Sequence, residues 1–158
     1  MMELLERLVK IESPSLDAAA QREILGVLAE ALEALGMETK RLRGPASGGH
    51  LLARPRDRRR RRPCHQMLLG HCDTVWPKGT LATMPWQVEE GIVRGPGVYD
   101  MKSGLVQGIF ALEALTALGR RPPLTPWFFI DSDEEIGSRE SRRYLERLAR
   151  GMDRVFVL

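Results

Sequence analysis

The chain has 158 residues, 43% of them hydrophobic and 28% charged, and a formal net charge of +3. That composition suits one globular unit with a buried core and argues against disorder. No apolar run approaches the ~20 residues of a membrane span, and "MMELLERLVK" has neither the basic start nor the apolar centre of a signal peptide; a cytoplasmic protein with no membrane partner is expected.

In chain order, "LLERLVKI" (Leu4 to Ile11) reads as a short amphipathic helix. A second helix is predicted within "SPSLDAAAQREILGVLAEALEALG", with Ser15 or Asp17 as its cap and Gly36 as its end. "METKRLR" is a strand and "GPASGG" a turn. "HLLAR" and "CHQMLLG" are two more strands, the second apolar enough to lie inside a sheet. Between them lies "RPRDRRRRRP", which holds most of the excess positive charge. It has no aromatic residues for base stacking and is bounded by prolines, so it reads as a solvated loop and no nucleic-acid partner is expected.

A loop follows from His71 to Met84, then a hairpin, "WQVEEGIVRG", turning near Glu90 and Gly91. The glycine-rich "GPGVYDMKSG" opens a long helix closed by Gly119. "LTPWFFID" is a strand whose Pro126 argues for an edge or a bulge at its start. "DSDEEIGS" is a loop, "RESRRYLERLARG" a helix, and "DRVFVL" a last strand. Cys64 and Cys72 match no zinc-finger or redox spacing and read as free thiols.

Strands alternating with helices predict an α/β fold, a three-layer αβα arrangement around a mostly parallel sheet. Ligands bind such sheets at the carboxyl ends of the strands. "GHCD", "YD" and "DSDEE" all fall in loops after a strand or hairpin.

The candidate chemistry lies in three clusters: His71 with Asp73; Asp100; and Asp131, Asp133, Glu134 and Glu135. Imidazole nitrogen and carboxylate oxygen are the usual ligands of catalytic zinc. A metal-binding histidine commonly gives its other N–H to a carboxylate, and residues two apart in an extended segment share a face, as His71 and Asp73 do. Crowded carboxylates at a strand end repel one another unless a cation or proton compensates. The alternatives are a polar turn at His71, and a solvated acidic loop that caps the next helix. Glu134 and Glu135 are neighbours whose side chains should diverge, one to a metal and one to a nearby water. Gly95, Gly97 and Gly104 permit tight turns around Asp100. Such a loop can also bind phosphate, but it matches neither GxGxxG nor a P-loop.

"GHCDTVWPKGT", "GPGVYDMKSG" and "DSDEEIGS", in this order and spacing, resemble the zinc-dependent exopeptidase family of glutamate carboxypeptidase, acetylornithine deacetylase and succinyl-diaminopimelate desuccinylase. The early "IESPS" fits that family's N-terminal region, and "WPKGTLATMPWQVEEGIVRGPG" leans towards the glutamate carboxypeptidase branch. The resemblance implies a di-zinc hydrolase that cleaves an amide bond next to a free carboxylate, with cobalt or manganese as possible substitutes for zinc. It implies His71, Asp100 and Glu135 as metal ligands, with Asp100 bridging both ions. Glu134 would be the general base on the attacking water and Asp73 the partner that orients His71. A cis peptide between Asp100 and Met101 is implied as well.

The chain departs from that pattern. Ser103 stands where glycine is common. Five metal-binding residues are expected and three are present; the fourth, acidic, would follow a strand like "RVFVL", and the fifth, a histidine, lies far downstream. The smaller inserted domain, with its dimerisation and substrate-binding parts, is missing too. Residues 1–158 are therefore expected to be the N-terminal portion of the catalytic domain, inactive or incomplete alone. The expected partners are a substrate with a free carboxylate and either a second copy or a complementing C-terminal half. The alternative is a non-catalytic remnant or interaction module that retains half of the fold.

Overall fold

A computed structural model describes residues 1–56 and 64–158. The arginine run Arg58 to Arg62 lies outside the described residues.

Two helices open the chain. α1 (Met2–Lys10) buries Leu5, Leu8 and Val9, the spacing of one helical face. α2 (Ala18–Ala34) is capped by Asp17, whose carboxylate accepts the Ala19 and Ala20 amides at 3.0 Å. Ser15 is not the cap. Ile24, Leu25, Leu28 and Leu32 form the buried stripe of α2.

Five strands make the main sheet in the order β1–β2–β6–β3–β7. They are β1 (Met37–Leu42), β2 (His50–Pro55), β3 (His65–His71), β6 (Thr125–Asp131) and β7 (Arg154–Val157). The sheet is mixed where a mostly parallel one was expected. β1 pairs antiparallel with β2, and β2 with β6; β3 runs parallel to both β6 and β7. The short turn between Leu42 and His50 enforces the first of these, since a tight connection joins only antiparallel neighbours.

Pro126 does not mark an edge, because β6 is the middle strand. The β2 ladder on β6 begins only at Phe128, so the missing amide at Pro126 costs no bond on that side.

β4 (Gln87–Glu89) and β5 (Ile92–Arg94) form the predicted hairpin. Glu90 and Gly91 both have positive φ, 50° and 79°, as the favoured two-residue hairpin turn requires. α3 (Ser103–Ala117) starts only at the end of the glycine-rich stretch. Asp100 and Met101 have non-helical backbone angles and the peptide bond between them is cis. α4 (Arg142–Ala149) also starts late, because the Asp133 carboxylate takes the Glu140 and Ser141 amides.

The core lies between α1–α3 and one sheet face, where Leu51, Ala53, Leu68, Phe128 and Ile130 meet Leu105, Val106 and Ile109. Cys72 is buried there, turned away from its polar neighbours as extended geometry predicts, and both cysteines are free. Tyr144 of α4 meets His50 from the other face, with ring centroids 5.6 Å apart, completing the third layer. Among the described residues no helix is long and apolar enough to cross a membrane.

Candidate metal centre

The site forms where β3 and β6 end side by side. Their parallel register sets His71 opposite Asp131. Gly70, just before His71, lets the turn after β5 approach. A Cβ at Gly70 would lie 2.6 Å from the Met101 methyl and 2.8 Å from Leu105. Met101 Sδ in turn sits 3.0 Å from the His71 amide nitrogen. The adjoining residue, Asp100, thereby reaches the imidazole, with Oδ1 3.1 Å from His71 Nε2.

The acidic loop after β6 closes from the third side. Glu134 Oε2 lies 3.8 Å from His71 Nε2. One ligand atom each from His71, Asp100 and Glu135 lie within 4.8 Å of one another, close enough to share a cation. Three segments far apart in sequence thus converge one nitrogen and two carboxylate oxygens, donors that suit a divalent metal ion.

Asp73 sits behind this group and is fully buried. His71 Nδ1 lies 3.3 Å from its carboxylate and 3.1 Å from its carbonyl oxygen. The same carboxylate accepts the Ser15 hydroxyl at 2.7 Å and the Glu134 and Glu135 amides at 3.3 and 3.2 Å. Burial alone would raise the Asp73 pKa, but His71, Ser15 and the loop amide hold it below the usual range. Burial would likewise lower His71; the Asp73 carboxylate reverses this and lifts the imidazole to about 9. Glu135 is raised by burial and by the carboxylates of Asp100, Asp73 and Glu134. A cation among these oxygens would relieve that repulsion.

A cavity of about 330 Å³ opens over the group, lined by His71, Asp100, Met101, Asp131, Glu134 and Ser138. Burial pushes the Asp131 carboxyl up to about 7. A separate cavity between α3 and the β1 edge, lined by Leu35, Met37, Leu112 and Arg120, contains none of these groups.

Each residue singled out from the sequence is in or beside this cluster, apart from Asp133, which turns beneath it and closes the loop. Sequence reasoning missed Ser15 as a partner of Asp73; the only signal was "IESPS", where it looked like a helix cap. It placed Met101 only in the cis peptide and not in packing, although that side chain lies against Gly70 and the His71 amide.

Strand ends that gather an imidazole and carboxylates over an open cavity define a candidate metal centre. Residues 67–158 match the profile of peptidase family M20/M25/M40. The chain belongs to that family, whose members are metal-dependent peptidases and hydrolases. It is 31% identical over 157 residues to carboxypeptidase G2 of Pseudomonas sp. (strain RS-16), covering 98% of this chain and 37% of that protein. It is 34% identical over 86 residues to succinyl-diaminopimelate desuccinylase of Xanthomonas campestris pv. campestris (strain B100), covering 52% of this chain and 23% of that one. Human carnosine dipeptidase 1 shares the fold at a TM-score of 0.82 and 21% identity, over 99% of this chain and 37% of its own. An M20 family metallo-carboxypeptidase from Sulfolobus solfataricus superimposes at a TM-score of 0.77 and 20% identity, with the same coverage. The chain thus spans under two fifths of the length of these relatives.

Proposed function

We propose that the protein to which this chain contributes hydrolyses an amide bond next to a free carboxylate, using two zinc ions. The observation that carries the reading is the convergence of His71, Asp100 and Glu135 within 4.8 Å. The site residues fit the metal, because imidazole and carboxylate are what zinc takes and their mutual repulsion awaits a cation.

His71, Asp100 and Glu135 would hold the metal. Bound there, zinc lowers the pKa of water and polarises a carbonyl. Glu134 takes the proton from the attacking water and passes it to the leaving nitrogen. Asp73 fixes the His71 tautomer and, through the Glu134 and Glu135 amides, the position of both glutamates. Cleavage beside a carboxylate is the reading that carboxypeptidase G2, by its name, favours.

Three donors cannot saturate two tetrahedral ions. The chain alone therefore binds zinc more weakly than a closed site does, and turns over little or no substrate. Titrating the purified chain with zinc, alongside a hydrolysis assay on N-acyl amino acids, tests both parts. Zinc binding that is lost in His71→Ala, with negligible turnover, is expected. A folded chain that binds no zinc overturns the metal reading, and turnover at ordinary enzyme rates overturns the second part.

A further inference from the structure

Beneath the acidic loop lies a polar pair that the reaction above does not use. His50, the first residue of β2, is fully buried, and its Nδ1 faces Asp133 Oδ1 at 4.0 Å. Neither ring nitrogen of His50, nor Asp133 Oδ1, has a hydrogen-bond partner among the described residues. Buried polar atoms are rarely left so, and these two side chains face each other.

The other half of Asp133 is fully engaged. Its Oδ2 accepts the Glu140 amide at 2.6 Å and the Ser141 amide at 3.3 Å, and its carbonyl accepts the Ser138 amide at 2.8 Å. Asp133 thus ties together both ends of the loop that carries Glu134 and Glu135. The turn leading into His50 is bound to the same loop, since the Glu140 carboxylate accepts the Ala46 and Ser47 amides at 2.7 and 3.1 Å. Phe129 and Tyr144 flank the imidazole at centroid distances of 6.1 and 5.6 Å.

We infer that His50 is a positioning residue: its Nδ1 faces the Asp133 carboxylate across 4.0 Å, beyond hydrogen-bond length, and in this buried setting steadies it electrostatically, so that the carboxylate closes the 133–141 loop and sets Glu134 and Glu135 at the metal site. Burial favours the neutral imidazole, which has one N–H to point at it. The link to metal rests on the proposed zinc function; the hold on the loop does not.

Amide hydrogen exchange on the metal-free chain reads the hold directly. His50→Phe keeps a ring against Phe129 and Tyr144 but has no donor. His50→Asn keeps a donor near the Nδ1 position but has no such ring. The expected result is exchange at Glu140 and Ser141 at least about tenfold faster in His50→Phe and near wild type in His50→Asn, with the β3 and β6 amides unchanged in both. Unchanged exchange in folded His50→Phe, equal effects of the two variants, or the reverse order overturns the inference. Should His50→Phe not fold, Asp133→Asn leaves the ring in place and weakens the acceptor, and must speed the same two amides. Cobalt titration of the same proteins separates the two readings. A wild-type chain that binds no cobalt ends the metal function, and the exchange result still decides the His50 pair. If cobalt binds, His50→Phe must also alter its visible spectrum while His50→Asn restores it, and identical spectra in all three overturn the link to the site.

Discussion

Asp73 Oδ2 accepts the Glu135 amide at 3.2 Å, so the carboxylate beside His71 also anchors the acidic loop. One buried group therefore sets two of the three candidate ligands. Asp73→Asn should lower the zinc affinity of the chain about tenfold to a hundredfold by calorimetry, the usual loss when such a partner is changed. Asp73→Ala removes every acceptor oxygen at once. With the Ser15 hydroxyl and the loop amides orphaned, it should also cost roughly 3 kcal/mol in urea unfolding. Undiminished zinc affinity in Asp73→Asn would show that His71 needs no such support.

The two adjacent glutamates should separate by experiment. Glu135→Ala, like His71→Ala or Asp100→Ala, removes a donor and should weaken zinc binding at least about tenfold. Glu134→Gln removes the proposed proton carrier instead, and should leave zinc affinity within about threefold of wild type. Calorimetry on the four variants checks this, and an equal loss in Glu134→Gln would make that residue a ligand.

Asp131 gives the metal-free chain a pH-dependent stability. Burial, reinforced by Asp73 and Asp133 and opposed by Ser141, raises its pKa from 3.8 to about 7. The folded state holds this proton more tightly than the unfolded one. The favourable contribution is complete below pH 3.8 and is lost as pH rises through about 7. Asp131→Asn cannot ionise, so it should be the more stable protein at pH 8, by at most about 4 kcal/mol. The gap should close towards pH 4. Urea midpoints at the two pH values test the sign, and a variant equally or less stable at pH 8 refutes it.

Much of this fold was legible because apolar runs and caps are local. The capping by Asp17, the hairpin at Glu90 and Gly91, and the apolar β3 follow from neighbouring residues alone. Strand direction does not: β2 and β3 look alike in hydrophobic pattern, yet one runs antiparallel to β6 and the other parallel. The three candidate clusters were legible by residue type and by their place in loops after strands, while the choice of His71, Asp100 and Glu135 among them came from the family resemblance. Ser15 was not, because it bonds across 58 positions to Asp73, and no periodicity encodes that contact. His50 was invisible for the same reason, a single polar residue opening an apolar strand.

Lys102 offers a test of how the Asp100 turn is held. Its ammonium is buried and donates to the Leu8 and Ile11 carbonyls at 3.0 and 2.9 Å, joining the turn to the end of α1. Burial pushes its pKa down to about 8. Lys102→Met keeps the stem and loses both bonds, which should cost about 2–4 kcal/mol and speed amide exchange in α1. Unchanged stability would mean that packing alone holds the turn.

The hydrogen atom that serves as the side chain of Gly70 has a reach beyond its size. It has no donor, acceptor or charge, yet a methyl group in its place would meet the Met101 methyl at 2.6 Å. The residue just before Met101, Asp100, is the one that reaches His71. A mutational survey confined to residues with reactive groups would pass over this position. In a library of random variants, large side chains at Gly70 should be lost while alanine, to which the flexible end of Met101 can yield, is tolerated better, and those losses would look chemical while their origin is spatial.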